Sequence, residues 1–231
     1  MGTEVVKVME MRKASSEERA ISAPTSDALQ VRAARPEDAE RVSAILAEAF
    51  PGLYRATFGR LDIPAVARLL TALYHAGTLS LETTRVCERE GTVVGVVILH
   101  VGHSVGRGTA GAFWRALYAQ LGLLRASRAF VGGLSANTFL NQRIPRAPDL
   151  VYIEALAVAE PERGRGIGTR LLEDAMQWTR ESAPVRSRLA LHVLYSNTGA
   201  RRLYERMGFR PWNPRQRQWT RGAALLMQRT I

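Results

Sequence analysis

A short run of glycine and arginine has the composition of an anion-binding loop. It reads Arg163-Gly-Arg-Gly-Ile-Gly168 and joins an apolar segment that begins at Val151 to a segment with the apolar periodicity of a helix. Glycine lets the backbone approach an anion closely, and the N–H groups and partial positive charge at a helix start favour negative charge. The junction therefore predicts a phosphate-binding site between a strand and a helix.

The spacing of the glycines excludes two common phosphate sites. A dinucleotide-binding loop has the pattern Gly-x-Gly-x-x-Gly and an acidic residue about 20 positions later. Here Gly164, Gly166 and Gly168 alternate, and the next predicted strand, Arg188 to Tyr195, has no Asp or Glu. A P-loop needs Gly-Lys-Ser/Thr, and no lysine lies near this loop. A glycine-rich turn without a ligand remains the structural alternative.

A second segment, 196–209, also has motif-like spacing. Ser196 or Asn197 can cap a helix by accepting backbone N–H bonds, and Gly208 is suited to end that helix in the left-handed conformation. Between them, four side chains fall on one helical face: Ala200, Leu203, Tyr204 and Met207.

Together the two segments resemble the coenzyme A motifs of the GCN5-related N-acetyltransferases, the GNAT family. The first matches the family's Arg/Gln-x-x-Gly-x-Gly/Ala loop, and the second its Asn-x-x-Ala-x-x-x-Tyr-x-x-x-Gly-Phe pattern. The resemblance implies an α/β GNAT fold, with a mixed central sheet of about seven strands flanked by helices. Splayed central parallel strands would form the coenzyme A cleft.

The resemblance also implies acetyl-coenzyme A as co-substrate and assigns its contacts. The N–H groups of Leu156 and Val158 would pair with the pantetheine arm, and that of Val158 would polarise the thioester carbonyl. Asn197 would bond the pantetheine amides, with helix capping as a competing or simultaneous duty. The implied contacts are Leu156, Ala157, Val158, Arg163, Gly164, Arg165, Gly166, Ile167, Gly168, Thr169, Asn197, Ala200 and Tyr204.

Acetyl transfer to an amine requires two proton movements, and each has a candidate residue. Glu154 interrupts an apolar strand, where a carboxylate is costly unless solvated or paired, so it is a candidate general base acting directly or through water. Strand alternation places it on the same face as Leu156 and Val158. Pairing with an arginine is its structural alternative. Tyr204 matches the family tyrosine that protonates the departing thiolate, and a core aromatic is its alternative.

Composition narrows the class of protein. At 231 residues and 46% hydrophobic content the chain suits one large domain. Its single cysteine, Cys87, excludes a disulfide framework and predicts a reducing cytoplasm. No apolar run of transmembrane length or cleavable leader is visible, so we expect no stable membrane insertion. We expect no metal, because the histidines lack metal-ligand spacing: His75, His100, His103 and His192.

The formal charge of +11 leaves several partners open. Residues 1–27 carry five acidic and four basic side chains, so the excess lies in the remainder. A basic surface could serve coenzyme A, an acidic acceptor or nucleic acid, or be a solvated face. No nucleic-acid-binding signature accompanies the charge, so we expect no nucleic acid. Many of the arginines lie in or after the second motif: Arg201, Arg202, Arg206, Arg210, Arg215, Arg217 and Arg221.

The chain organisation is predicted as one domain with two additions. Residues 1–28 are polar and aperiodic and are expected to be a mobile extension, and residues 29–231 form a single GNAT domain. An insertion at about 104–148 contains an apolar helical pattern. It is interpreted as a lid or specificity element that meets a membrane or second subunit, or as helices packed on the domain. A homodimer is therefore one of the alternatives.

The remaining elements follow from hydrophobic periodicity. We predict a strand at Leu29 to Ala34, a helix that begins at Arg35, a second helix at Pro64 to Ala76, and a hairpin from Arg85 to Glu90 and Val93 to Val101. The first helix is expected to bury Val42, Ile45, Leu46 and Ala49.

The predicted function is a cytoplasmic, acetyl-coenzyme A-dependent N-acetyltransferase. Direct attack in a ternary complex would transfer acetyl to a primary amine of a small molecule or protein. Two alternatives stay open: a regulatory sensor that binds acetyl-coenzyme A with little catalysis, and a basic nucleic-acid-associated module.

Overall fold

The computed structural model describes residues 29–58, 61–77, 79–101, 149–183, 187–213 and 224–231, with isolated residues between 115 and 147. Its strands form one sheet in the order β1-β2-β3-β4-β5-β7-β6. β4 and β5 are parallel, and the other neighbours are antiparallel. The strands are β1 (Gln30–Ala33), β2 (Thr84–Arg89), β3 (Thr92–Val101), β4 (Leu150–Val158), β5 (Arg188–Leu194), β6 (Arg210–Pro211) and β7 (Ala224–Thr230). The mixed seven-stranded sheet expected from the sequence is confirmed.

Helices cover both sides of this sheet. They are α1 (Ala39–Ala49), α2 (Pro51–Phe58), α3 (Ile63–His75), α4 (Ile167–Ser182) and α5 (Thr198–Arg206). Residues of α4 and α5 share a core with Val97, Leu99, Val151 and Ile153, and we call this side the α4 face. Residues of α1 and α3 share a core with Val96, Ile98 and Ala157, and we call this side the α1 face. The site described below depends on which face each side chain occupies.

The position of α4 is set by a close contact and an ion pair. A Cβ atom at Gly95 of β3 would lie 2.9 Å from the Ile167 side chain, so only glycine permits this approach. Asp174 accepts two hydrogen bonds from Arg85 of β2, at 2.7 and 2.8 Å. Full burial of Leu171 on the same helix contributes about 1.5–3 kcal/mol. These contacts fix the start of α4 relative to the end of β4.

The N-terminal elements are joined through Asp38. Its carboxylate accepts hydrogen bonds from the Arg32 guanidinium of β1 at 2.7 and 3.0 Å and from the Arg35 N–H at 2.7 Å. Arg32 also bonds Glu88 of β2 at 2.7 Å. The Arg32 guanidinium lowers the pKa of the Asp38 carboxyl. The helix predicted to begin at Arg35 thus starts as a 3-10 turn, Pro36–Asp38, ahead of α1. Asp38 joins this turn to β1 through Arg32, and Arg32 in turn bonds β2.

The predicted α3 and hairpin agree with the structure, and three elements were not predicted. α3 buries Val66, Leu69, Leu70, Leu73 and Tyr74. The hairpin turns at Glu90 and Gly91, whose φ angles of 52° and 75° suit a two-residue turn. The additional elements are α2, β6 and β7. Ala49, which was expected to be buried, is half-buried.

Only a few residues of the predicted insertion are described. Leu117 and Ala126 are fully buried and form a small cluster with Leu69 and Leu73 of α3. The rest of 104–148 lies outside the described residues except Ala147 and a few helical positions, and so does the predicted extension at 1–28. The burial of Leu117 and Ala126 is what helices packed on the domain would produce.

Candidate functional site

The two parallel strands separate after four paired residues. β4 pairs with β5 only from Leu150–Arg188 to Ile153–Leu191. Beyond that point β4 continues to Val158 on its β3 side, and β5 continues to Leu194 on its β7 side. The strands therefore enclose an opening in the middle of the sheet.

Backbone N–H groups of β4 are directed into this opening. The Ala159 N–H donates to the Val94 carbonyl of β3 at 2.9 Å. Because successive N–H groups of a strand point to opposite sides, those of Leu156 and Val158 point away from β3. The Val158 carbonyl points the same way and accepts a hydrogen bond from Arg163 Nε at 3.2 Å. The two amides assigned from the sequence thus lie where β5 no longer pairs with β4.

The glycine loop leaves the start of α4 uncapped. Gly164 and Gly166 have φ angles of 79° and 81°, in the left-handed region that favours glycine. Gly166 is the N-cap of α4 and provides no side chain, and the first helical bond runs from the Arg170 N–H to the Gly166 carbonyl at 3.0 Å. The N–H groups of Ile167, Gly168 and Thr169 precede that bond and can bind an anion.

Gly168 differs from the other two glycines of the loop. Its φ is not positive, and a Cβ atom there would lie 3.1 Å from Leu203 of α5. Its small size therefore serves the packing of α4 against α5. The expected approach of the Gly168 backbone to an anion stays a prediction, with this packing contact as a second reason for glycine at the position.

The second motif forms α5 as predicted. Asn197 Oδ1 accepts the Ala200 N–H at 3.1 Å, so the capping duty of Asn197 is present. Gly208 has a φ of 81° and follows the helix end. Tyr204 is 7% exposed and its ring lies 5.9 Å from that of Phe209. Burial raises the pKa of Tyr204 to about 12, so its hydroxyl keeps its proton at neutral pH.

A β-bulge in β4 determines where Glu154 lies. Ile98 is opposite Ala155 and Leu99 is opposite Ile153, so Glu154 has no partner on β3. The extra residue breaks strand alternation. Glu154 bonds His100, which shares the face of Ile98 and hence the α1 face, whereas Leu156 packs against the α4 core. The sequence-based placement of Glu154 on the face of Leu156 and Val158 was wrong for this reason.

Two histidines that the sequence left without a role contact this bulge region. A hydrogen bond joins His100 Nε2 of β3 to Glu154 Oε2. On the neighbouring side, the Tyr152 hydroxyl is bonded to Nδ1 of His192 at 2.9 Å. His192 follows the last β5 residue that pairs with β4, so both pairs border the opening. The His100 contact depends on the β3–β4 register, which no sequence signal specified.

Comparison with known proteins decides the family. The model of the acetyltransferase (GNAT) family matches residues 46–209, which is more than half of the chain and includes the bulge, the glycine loop and α5. The chain belongs to the GNAT acetyltransferase family.

Individual relatives agree with this GNAT assignment. A segment of 65 residues is 43% identical to N-alpha-acetyltransferase 40 of Saccharomyces cerevisiae and covers 26% of this chain and 23% of that protein. The match therefore spans about a quarter of the relative's length.

Solved structures share the fold at low identity. An N-acetyltransferase from Staphylococcus aureus Mu50 has a TM-score of 0.59 at 19% identity, covering 87% of this chain and 100% of that one. A GCN5-related N-acetyltransferase from Kribbella flavida has a TM-score of 0.50 at 21% identity, covering 88% and 98%. The GNAT fold predicted from the sequence is confirmed.

In this GNAT chain, three buried or half-buried tyrosines have raised pKa values. Burial raises the pKa values of Tyr54, Tyr74 and Tyr152, and the Glu154 charge raises all three further. Tyr204, on the α4 face, also acts on Tyr152 electrostatically. Glu154 therefore acts electrostatically on side chains of the α1 face, Tyr54 and Tyr74.

The arginines near the loop have protein partners. Arg165 lies 3.6 Å from Glu162, and Arg201 lies over the Tyr195 ring at 4.4 Å and bonds the Tyr195 carbonyl at 3.2 Å. The predicted arginines at 215, 217 and 221 lie outside the described residues. Arg165 of the loop and Arg201 of α5 therefore stabilise local structure.

The described part of the chain lacks a metal-binding cluster and a membrane-spanning helix. There, no group of three or more His, Cys, Asp and Glu residues could hold a metal ion. Over the same residues, no helix is long and apolar enough to cross a membrane. Cys87 is fully buried, and burial raises its pKa, as for an unreactive core residue.

Proposed function

We propose that this GNAT protein is an acetyl-coenzyme A-dependent N-acetyltransferase that transfers acetyl to a primary amine by direct attack in a ternary complex. The observation that carries the proposal is the opening between β4 and β5. One side of it meets the uncapped start of α4 and the amides of Leu156 and Val158. The other side meets Glu154 and His100.

The residues present fit coenzyme A at this opening. The pyrophosphate would bind the N–H groups of Ile167, Gly168 and Thr169, and Gly164 and Gly166 leave open space where a Cβ would stand. The pantetheine arm would bind the amides of Leu156 and Val158. Further contacts are assigned to Ala157, Arg163, Arg165, Asn197, Ala200 and Tyr204. Acetyl-coenzyme A supplies the thioester, whose C–S bond breaks as the new N–C bond forms.

Glu154 is assigned as the group that takes the proton from the attacking amine, directly or through one water. Its side chain is 55% exposed, which allows contact with an acceptor from solvent. The His100 bond orients the carboxylate at the bulge, so His100 is a positioning residue. General-base catalysis of this kind contributes about 10²–10⁴-fold to rate.

Tyr204 is assigned as the acid that gives its proton to the departing sulfur. The Tyr204 hydroxyl is protonated at neutral pH and is therefore available as a donor to the sulfur. The Val158 N–H would polarise the thioester carbonyl from the opening. A sensor with little catalysis would need neither the Glu154–His100 contact nor the protonated Tyr204.

The proposal is tested by calorimetry with acetyl-coenzyme A followed by an acceptor screen. We expect saturable binding of one acetyl-coenzyme A per chain, and amine-dependent release of coenzyme A. Mass spectrometry should identify an N-acetylated product. If acetyl-coenzyme A shows no binding, the assignment of the opening is wrong.

A further inference from the structure

A basic cavity lies at the outer edge of the sheet, where the end of α5 meets β6 and β7. Its volume is about 530 Å³, and we call it the edge cavity. Three arginines line it: Arg206 from the last turn of α5, Arg210 from the start of β6 and Arg229 from β7. None of the described residues in its lining is acidic. A cavity of this size can hold a small molecule, and its charge favours an anion.

The edge cavity is separate from the opening between β4 and β5. Thr230, which lines the cavity, is paired with Arg188 at the start of β5, whereas the opening begins beyond Leu191. Asn197, assigned to the cofactor, caps the opposite end of α5, whose nine residues span on the order of 13 Å. The cavity is therefore not part of the site proposed for coenzyme A.

One of the three arginines is held in place by the end of α5. Arg229 Nη1 donates a hydrogen bond to the Met207 carbonyl. The guanidinium lies over Gly208, where a Cβ atom would be 3.5 Å from Cζ, Nε and Nη1 of Arg229. Because a guanidinium has five N–H donors, the bond to Met207 leaves others available to a ligand.

Pairing with the helix end accounts for only part of this positive charge. The carbonyl end of a helix carries about −0.5 of an elementary charge, which one arginine is sufficient to neutralise. Glu205 of the same helix turn is paired with Arg201, at 3.8 Å. Within the described part of the chain, Arg206, Arg210 and Arg229 have no carboxylate partner. At least two positive charges therefore remain to attract a ligand.

The free edge of β7 adds a backbone donor. The Trp212 N–H bonds the Leu226 carbonyl at 2.9 Å, so the alternate β7 residues Gln228 and Thr230 direct their backbone groups to the β6 side. β6 begins at Arg210, opposite Gln228, and does not extend to Thr230. The Thr230 N–H therefore points out of the sheet edge beside the three arginines.

We propose that the edge cavity binds a small phosphate monoester. This site is additional to the acetyl-transfer site and does not depend on it. A phosphate monoester carries a charge of about −1.5 to −2 at pH 7 and has three strong acceptor oxygens. A single arginine already satisfies a carboxylate through a bidentate pair, so three arginines and a backbone N–H match the phosphate better. The remaining volume has room for a polar body attached to the phosphate.

Calorimetry with glycerol 3-phosphate and ribose 5-phosphate tests the site. Glycerol 3-sulfate is the matched control ligand, because it has a similar shape and one negative charge fewer. At low salt we expect both phosphates to bind the full chain with a Kd of about 1 mM or below, and the sulfate to bind at least about fivefold more weakly. NaCl at about 0.5 M should weaken binding of the phosphates. Absence of saturable binding by both phosphates, or equal binding of the sulfate, would overturn the proposal.

Arginine variants determine where the phosphate binds. Arg206→Gln and Arg210→Gln remove exposed side-chain charges and should each raise the Kd of ribose 5-phosphate about fivefold. Arg68→Gln, at an exposed position of α3 outside the cavity, removes the same unit charge and should leave this Kd unchanged. Circular dichroism confirms that each variant is folded. The same Kd in all three variants would overturn the proposal, and so would displacement of ribose 5-phosphate by coenzyme A, which would place it in the opening instead.

Discussion

Glu154 of β4 and His100 of β3 are hydrogen-bonded at the point where their strands lose register. The bulge places the carboxylate on the α1 face, beside an opening whose other side meets the coenzyme A motifs. In a regular strand Glu154 would share the face of Leu156, which packs against the α4 core. One irregular residue therefore separates the proposed acceptor side from the proposed cofactor side.

Replacement of Glu154 by glutamine should remove the proposed base. We expect kcat/KM for the amine to fall by about 10²–10⁴-fold, while the Kd for acetyl-coenzyme A changes little. His100→Gln keeps a hydrogen-bond donor beside Glu154 and should cost far less than His100→Ala. Steady-state kinetics with calorimetry of each variant makes the measurement. A Glu154→Gln enzyme with unchanged kcat/KM would remove Glu154 from the mechanism.

Tyr204→Phe should slow the reaction without loosening the cofactor. The buried ring remains packed against Phe209, but the proton for the departing sulfur is lost, so kcat should fall by about 10²-fold. Thermal melting should show that the fold is retained. If Tyr204 is the acid, the fall in kcat should be smaller with an acyl donor whose departing thiol has a lower pKa than coenzyme A. An equal fall in kcat with both acyl donors would show that Tyr204 has a packing role alone.

Gly166→Ala tests the glycine loop. Its φ of 81° makes alanine strained by about 1 kcal/mol, and the new Cβ projects into the open space assigned to the pyrophosphate. We expect the Kd for acetyl-coenzyme A to rise at least about tenfold. Gly52→Ala in α2 is the control, because a Cβ there meets nothing within 4 Å and its φ is ordinary. Equal cofactor binding by both variants would contradict the assignment of the loop.

The buried tyrosines predict a loss of stability at alkaline pH. Burial raises the pKa values of Tyr54, Tyr74, Tyr152 and Tyr204 above the ordinary value of 10.0, with Tyr204 at about 12. Above pH 10 the unfolded chain releases the tyrosine protons, whereas the folded protein retains them. The free energy of unfolding is therefore at its full value below pH 10 and falls as the pH rises toward 12. The shift of the Tyr204 pKa from 10.0 to about 12 corresponds to roughly 2.7 kcal/mol.

Urea unfolding at several pH values measures this effect. The free energy of unfolding should fall above about pH 10, and it should fall less steeply in Tyr204→Phe. Tyrosinate absorbance should rise together with unfolding rather than before it. A free energy that is constant from pH 9 to about 11.5 would show that these hydroxyls are hydrated in the folded state.

The sequence predicted the parts of the site that local patterns encode. Gly166 at the start of α4, Asn197 as the cap of α5 and Gly208 at its end are set by backbone requirements that residue type reveals. The central hairpin and α3 followed from hydrophobic periodicity. These elements depend on neighbours in the chain, so a single sequence carries their signal.

The parts that depend on pairing between distant segments were not predicted. The bulge at Glu154 arises from the register of β3 against β4, so strand alternation gave the wrong face. The short apolar run of β7 is ambiguous without its partner β5. α2 begins with Pro51-Gly52, which read alone favours a turn. His100 acquires its role only through the same register.

The most direct test of the account is product analysis after incubation of the full-length protein with isotopically labelled acetyl-coenzyme A and a panel of primary amines. We predict a labelled N-acetylated amine and coenzyme A in equal amounts, with no labelled protein and no coenzyme A release when the amine is omitted. Release of one equivalent of coenzyme A per chain without amine, accompanied by labelled protein, would contradict direct transfer. Absence of labelled amide with any primary amine would contradict the acetyltransferase itself.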